Sequence, residues 1–193
     1  MDTKTPALKQ IKDDVVALAD SPLALYRREN HYFPVIGEGS HDAKIMFIGE
    51  APGENEAKTG RPFVGAAGKV LEKLLHSVGI KREDVYITNI VKDRPPKNRD
   101  PLPEEIDTYA PFLDRQIKII KPKVVATLGR FAMMYVMNRY GLEKEVASIG
   151  ALHGKVLEAT TFKLLPLYHP AAAIYNRELL VTLERDMQVL KDL

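Results

Sequence analysis

The sequence predicts an α/β fold: a three-layer α/β/α sandwich about a central four-stranded parallel sheet, in one domain over residues 1–193. Three observations predict it. Four short runs rich in β-formers, Lys44–Ile48, Val85–Val91, Lys123–Leu128 and Lys163–Tyr168, are spaced along the chain. Periodic segments of helical length lie between them, at Ala66–Val78, Pro103–Ile120 and Arg130–Tyr140. Helical crossovers between apolar strands give parallel sheets with helices on both faces. Finally, no repeat, low-complexity tract or linker divides the chain.

The remaining elements follow in order. An N-terminal helix is expected near Ala7–Ala19 and a loop-rich entry over Ser21–Asp42. A small hairpin is expected near Gly150–Leu157, and a helix over Arg177–Leu190 closes the fold.

Composition narrows the function classes. With 193 residues, 45% of them hydrophobic, the chain can bury one sizeable core. No apolar run approaches the ~18 residues of a membrane span, and the Met-Asp-Thr-Lys start lacks an apolar leader, so a soluble, cytoplasmic protein is expected. A net charge of +2 is too small to prove a polyanionic partner, which leaves that question to local clustering. There is no cysteine, and this excludes disulfides, cysteine nucleophiles and thiolate-ligated metals or clusters. The five histidines, at 31, 41, 76, 153 and 169, never pair at helical metal-binding spacing, so no metal is expected.

The strand ends carry unusual residues. The first run stops at Gly49-Glu50-Ala51-Pro52-Gly53, the second at Thr88-Asn89, the third at Gly129 and the fourth at His169-Pro170. Ligands of open parallel sheets bind outside the carboxyl ends of the strands. A carboxylate, an amide and an imidazole are therefore expected to converge on one rim. Glycine and proline this dense after a strand mark a turn that brings backbone close to a ligand. It is not a phosphate cradle, because neither Gly60–Gly65 nor Gly65–Lys69 meets the Walker spacing and the dinucleotide fingerprint also fails. The remaining reading is a turn whose peptide N–H groups meet a ring edge, with Phe63 near enough to stack on that ring. Directly after Asn89, Lys92, Arg94, Lys97 and Arg99 place four cations within eight residues on a proline-stiffened loop. That loop suits a phosphate backbone, although on charge alone an ordinary solvated loop is the stronger reading.

Five motifs in order, Gly49-Glu50-Ala51-Pro52-Gly53, Gly60-Arg61-Pro62-Phe63-Val64-Gly65, Val85-Tyr86-Ile87-Thr88-Asn89, Lys92 with Arg94-Pro95-Pro96, and His169-Pro170-Ala171-Ala172, resemble the family 4 uracil-DNA glycosylases from about Leu18 to Asn176. The resemblance implies an enzyme that flips uracil out of DNA and hydrolyses its glycosidic bond in base-excision repair. The family carries four cysteines that ligate a [4Fe–4S] cluster, and the matching positions here are Leu18, Ser21, Asp93 and Tyr109. The cluster is therefore expected to be absent, with packing or polar contacts in its place, such as an Asp93 salt bridge to a nearby Arg.

Roles follow from that resemblance. Asn89 offers a donor and an acceptor to the O4 and N3–H of a flipped uracil, and Phe63 stacks on its ring. Peptide N–H groups near Ala51 and Gly53 hold a uracil carbonyl. Glu56 crowds the C5 edge against a thymine methyl, or is simply a helix-start glutamate. His169 donates to uracil O2 in either protonation state, while Glu50 positions or activates the water. Ile174, ranked ahead of Tyr175, is the wedge that holds the emptied stack open. His153 stands where the family tends to have arginine and would meet a phosphate only when protonated. Uracil-containing DNA is the expected partner and a monomer the default state. Two alternatives compete: a DNA-binding module without turnover, and a glycosylase for another deaminated base such as hypoxanthine.

Overall fold

The computed structural model describes residues 2–193. In chain order the elements are α1 Lys4–Ala17, α2 Pro22–Glu29, β1 Glu38–Gly39, β2 Ile45–Gly49, α3 Glu54–Thr59, α4 Ala66–Ser77, β3 Tyr86–Asn89, α5 Pro103–Ile120, β4 Val124–Leu128, α6 Arg130–Arg139, α7 Ile149–Leu152, β5 Leu157–Glu158, β6 Lys163–Leu167 and α8 Arg177–Met187. Pro22 and Pro103 each open a helix, where a missing N–H costs nothing.

The sheet runs β1-β3-β2-β4-β6-β5. Its four central strands are parallel, as expected, but the two-residue strands β1 and β5 add antiparallel edges, so the sheet is mixed and six-stranded. Two other expectations are corrected. The entry segment contains α2 and β1, and the hairpin turns between β5 and β6 while residues 149–152 form the helical turn α7.

Alternation along the central strands builds the layers. Met46, Ile48, Val125 and Leu164 face α1, α5 and α6, while Phe47, Ile87, Ala126 and Leu165 face α4 and α8. With both faces covered, the strands leave their ends free. Gly49 pairs with Asn89 and Leu128 with Leu167, so the carboxyl ends of all four central strands finish level on one rim. No helix among the described residues is long and apolar enough to cross a membrane.

Candidate active site

That rim holds a cleft of about 510 Å³. Glu50, Ala51, Gly53, Glu56, Phe63, Asn89 and His169, the seven residues expected to bind the base or act on its bond, all line it.

Asn89 ends β3 and is 2% exposed, and its Oδ1 is buried without a hydrogen-bond partner. Buried polar atoms are rarely left unpaired, and this oxygen is free to accept a further hydrogen bond. The room beside it depends on Gly49. A Cβ there would lie 2.3 Å from Asn89 Oδ1 and 2.7 Å from Phe63 Cζ.

Phe63 is buried with φ of +50°, unusual for a bulky residue, so its loop must be held from outside. Three contacts hold it. Arg82 donates to the carbonyls of Pro62 and Phe63 at 2.5 and 3.3 Å, and Glu56 Oε1 accepts from the N–H groups of Val64 and Gly65 at 2.8 and 2.7 Å. Helix α4 meets the loop at Gly68, where a Cβ would be 1.9 Å from the Phe63 carbonyl oxygen. The structure thus gives Glu56 a scaffolding task that its sequence position did not disclose.

His169 follows β6, and its ring centroid lies 5.8 Å from that of Phe63. Its Nδ1 accepts from the Ala171 N–H at 3.1 Å, and burial pulls its pKa down to about 4. The imidazole is therefore neutral near pH 7 with its proton on Nε2.

Glu50, partly buried just past β2, has its pKa pushed up to about 7 by burial and secondarily by the Asp100 charge, with Arg130 opposing. Asp100 and Arg130 form an exposed ion pair of 2.9 Å, and sequence reasoning missed both. Thirty positions separate them, so no local pattern could have joined them to Glu50.

The basic loop departs most from expectation. Lys92 is 0% exposed, and its Nζ donates inward to Thr88 Oγ1, the Asn89 carbonyl and Gln116 Oε1, so it cannot reach a phosphate. Arg94 is 8% exposed and occupied by Tyr32, Glu54 and Asn98, which makes it a tie of the rim and not a DNA contact. Arg99 lines the cleft while making a two-pronged pair with Glu105, at 2.8 and 2.6 Å, and Lys97 is exposed. Past His169, Tyr175 is 98% exposed and Ile174 is half-buried. His153 Nδ1 lies 2.6 Å from Asp186 Oδ2, with its ring packed on Tyr168.

The family-implied cluster positions do not fit an iron–sulfur cluster. Ser21, Asp93 and Tyr109 are joined by hydrogen bonds and tied to the Arg27 guanidinium, and Leu18 packs against the core. A carboxylate already paired, a phenol, a hydroxyl and an alkyl chain cannot supply thiolate ligation. Among the described residues no group of three His, Cys, Asp or Glu side chains could hold a metal ion.

Fold and site together define a cleft at the sheet's carboxyl rim, floored by an unpaired amide oxygen and flanked by an aromatic face, an imidazole and a carboxylate. Residues 36–192 match the model of the uracil DNA glycosylase superfamily. Similar proteins include type-4 uracil-DNA glycosylases of Sulfurisphaera tokodaii, 44% identical over 97% of this chain and 84% of that protein, Saccharolobus solfataricus, 48% identical over 82% and 74%, and Thermotoga maritima, 42% identical over 92% and 88%. The chain belongs to the uracil DNA glycosylase superfamily, in its type-4 family.

Proposed function

We propose that the protein is a uracil-DNA glycosylase whose cleft takes a uracil flipped out of DNA and hydrolyses its bond to deoxyribose, leaving an abasic site. The observation that carries this reading is the buried, unpartnered Oδ1 of Asn89. It suits the N3–H of uracil, while the amide nitrogen suits O4, and cytosine presents the opposite pattern on that edge. The type-4 relatives, which are named for the same activity, support it.

The reaction then follows from the groups around that base. Phe63 stacks on the ring, and the peptide N–H groups of Ala51 and Gly53 meet a uracil carbonyl. The C1′–N1 bond breaks with its electron pair leaving on the base. His169 Nε2–H donates to O2 as negative charge develops there, a task for which a neutral donor is sufficient. Glu50, as the carboxylate, opposes the positive charge on the sugar and takes a proton from the water whose oxygen joins C1′. A pKa near 7 matches that role, since a base is most effective near the working pH. Glu56 combines support of the Phe63 loop with exclusion of a C5 methyl. Lys97, Arg99 and Tyr175 meet the DNA, with Tyr175 entering the gap left by the flipped base. The protein works as a monomer without an iron–sulfur cluster, the Arg27–Asp93–Tyr109–Ser21 network standing in its place.

Oligonucleotides carrying a single uracil, thymine or hypoxanthine, treated with protein and then alkali, test the reading. Strand breaks at uracil alone are expected. Breaks at hypoxanthine in preference to uracil would reassign the base, and DNA binding without breaks would make the protein a binding module.

A further inference from the structure

Lys92 is the largest charged group wholly inside the fold, and the chemistry above makes no use of it. Its Nζ is surrounded by three oxygens, the Asn89 carbonyl at 2.6 Å, Gln116 Oε1 at 2.6 Å and Thr88 Oγ1 at 2.8 Å. None of them has a proton to offer. The Thr88 hydroxyl donates to the Ile36 carbonyl at 2.6 Å, and Gln116 turns its oxygen toward Lys92 because its Nε2 donates to Ile36 and Tyr86. A neutral amine would aim its lone pair at an oxygen, whereas an ammonium gives each oxygen one N–H. Burial opposes the charge and draws the Lys92 pKa well below the usual lysine value, but the donor count requires the cation.

Among the described residues no carboxylate lies within ion-pair distance of it. The adjacent Asp93 is paired with Arg27 and Tyr109. An unpaired buried cation is costly unless something compensates it, and its field extends far in a medium of low dielectric. This one is bonded to the carbonyl of the same residue whose side chain floors the cleft. We propose that Lys92 is a positioning residue acting through Asn89: it fixes the end of β3 and sets a positive charge behind the cleft that stabilises the departing uracil anion. The inference rests on the reading of the cleft as a uracil site.

A leaving-group comparison tests it. Fluorine at C5 is nearly as small as hydrogen but makes the base a better anionic leaving group, so 5-fluorouracil needs less help from the field. Single-turnover release of uracil and of 5-fluorouracil from the same oligonucleotide is measured for wild type and Lys92→Met, together with DNA affinity. The expected result is a loss of about tenfold on uracil, below the ~10²–10³ of a direct donor. The loss on 5-fluorouracil should be at least threefold smaller, with affinity unchanged. Equal losses on the two bases would overturn the inference and leave Lys92 a packing residue. Weakened DNA affinity with intact rates would also overturn it. A wild type that releases neither base would instead overturn the reading of the cleft, and this inference with it. If Lys92→Met does not fold, Gln116→Glu neutralises the ammonium in place and must show the same difference between bases.

Discussion

Arg27 Nη1 donates to both carboxylate oxygens of Asp93, at 3.1 and 3.0 Å, with both side chains buried. The guanidinium also donates to the carbonyls of Val15 and Val16, and Tyr109 donates its hydroxyl to Asp93 at 2.6 Å. One network thereby joins the end of α1, helix α2, the loop after β3 and helix α5. These are the segments that carry Leu18, Ser21, Asp93 and Tyr109, the positions that the family resemblance matches to cluster cysteines.

Removing one partner of a buried pair strands the other, at a cost of ~3–5 kcal/mol. Asp93→Ala is therefore expected to lower the melting temperature by roughly 10 °C, at ~2–4 °C per kcal/mol for a chain of this size. Its single-turnover rate on uracil at 25 °C should stay within about threefold of wild type, because no pocket group depends on Asp93 for its charge. The combined Arg27→Met, Asp93→Leu replacement should be less destabilising than Asp93→Ala alone, since no charge is left behind. Thermal melts by circular dichroism decide this, and an unchanged melting temperature in Asp93→Ala would refute the staple.

Glu50 governs the pH dependence. If its carboxylate is the base, single-turnover rates climb as pH rises through about 7 and level off above it. Asp100→Asn removes a negative neighbour and should move that limb to lower pH, whereas Arg130→Gln should move it higher. His169, with a pKa near 4, does not titrate in this window.

The same shift has a signed consequence for stability. A folded pKa raised from 4.5 to about 7 means that the native state holds the proton more tightly, so Glu50 destabilises the fold progressively from pH 4.5 to 7 and fully above. Glu50→Gln should lose activity yet melt higher at pH 8, on the order of 2–4 °C for ~1 kcal/mol after allowing for solvent screening. No gain is expected at pH 5. A lower melting temperature at pH 8 would contradict the burial of that charge.

Glu56 tests which of its two tasks dominates. Its Oε1 accepts from two backbone N–H groups, and leaving both unpaired costs ~1–3 kcal/mol each. Glu56→Ala should therefore loosen the Phe63 loop and cut the uracil rate at least tenfold, without creating activity on thymine. A variant that kept its uracil rate and cleaved at thymine would make methyl exclusion its main task.

Tyr175 and Ile174 separate on substrate form. Tyr175→Ala is expected to slow cleavage of duplex DNA about tenfold and to leave single strands nearly unaffected, since only a duplex has a stack to hold open. Ile174→Ala should change both substrates equally. Equal losses on the two forms for Tyr175→Ala would remove it as a wedge.

Much of this was legible in the sequence because the strand ends are punctuated. Glu50, Asn89 and His169 each stand at a break in an apolar run, and the sheet brings such breaks to one rim. The Arg99–Glu105 pair and the burial of Lys92 and Arg94 were not legible. A cluster of cations looks the same in sequence whether it faces water or turns inward, and their partners Gln116 and Tyr32 lie 24 and 62 positions away. The edge strands β1 and β5 escaped for a related reason: two residues carry no periodicity.

The central claim is that Asn89 reads the base and His169 stabilises its departure. It is tested most directly by single-turnover cleavage of a labelled oligonucleotide with one uracil, using wild type, Asn89→Ala and His169→Ala. Cleavage by wild type that falls at least tenfold in both variants is the predicted result, with the His169 loss approaching the ~10²–10³ of a removed transition-state donor. Wild-type rates retained in both variants would contradict the account.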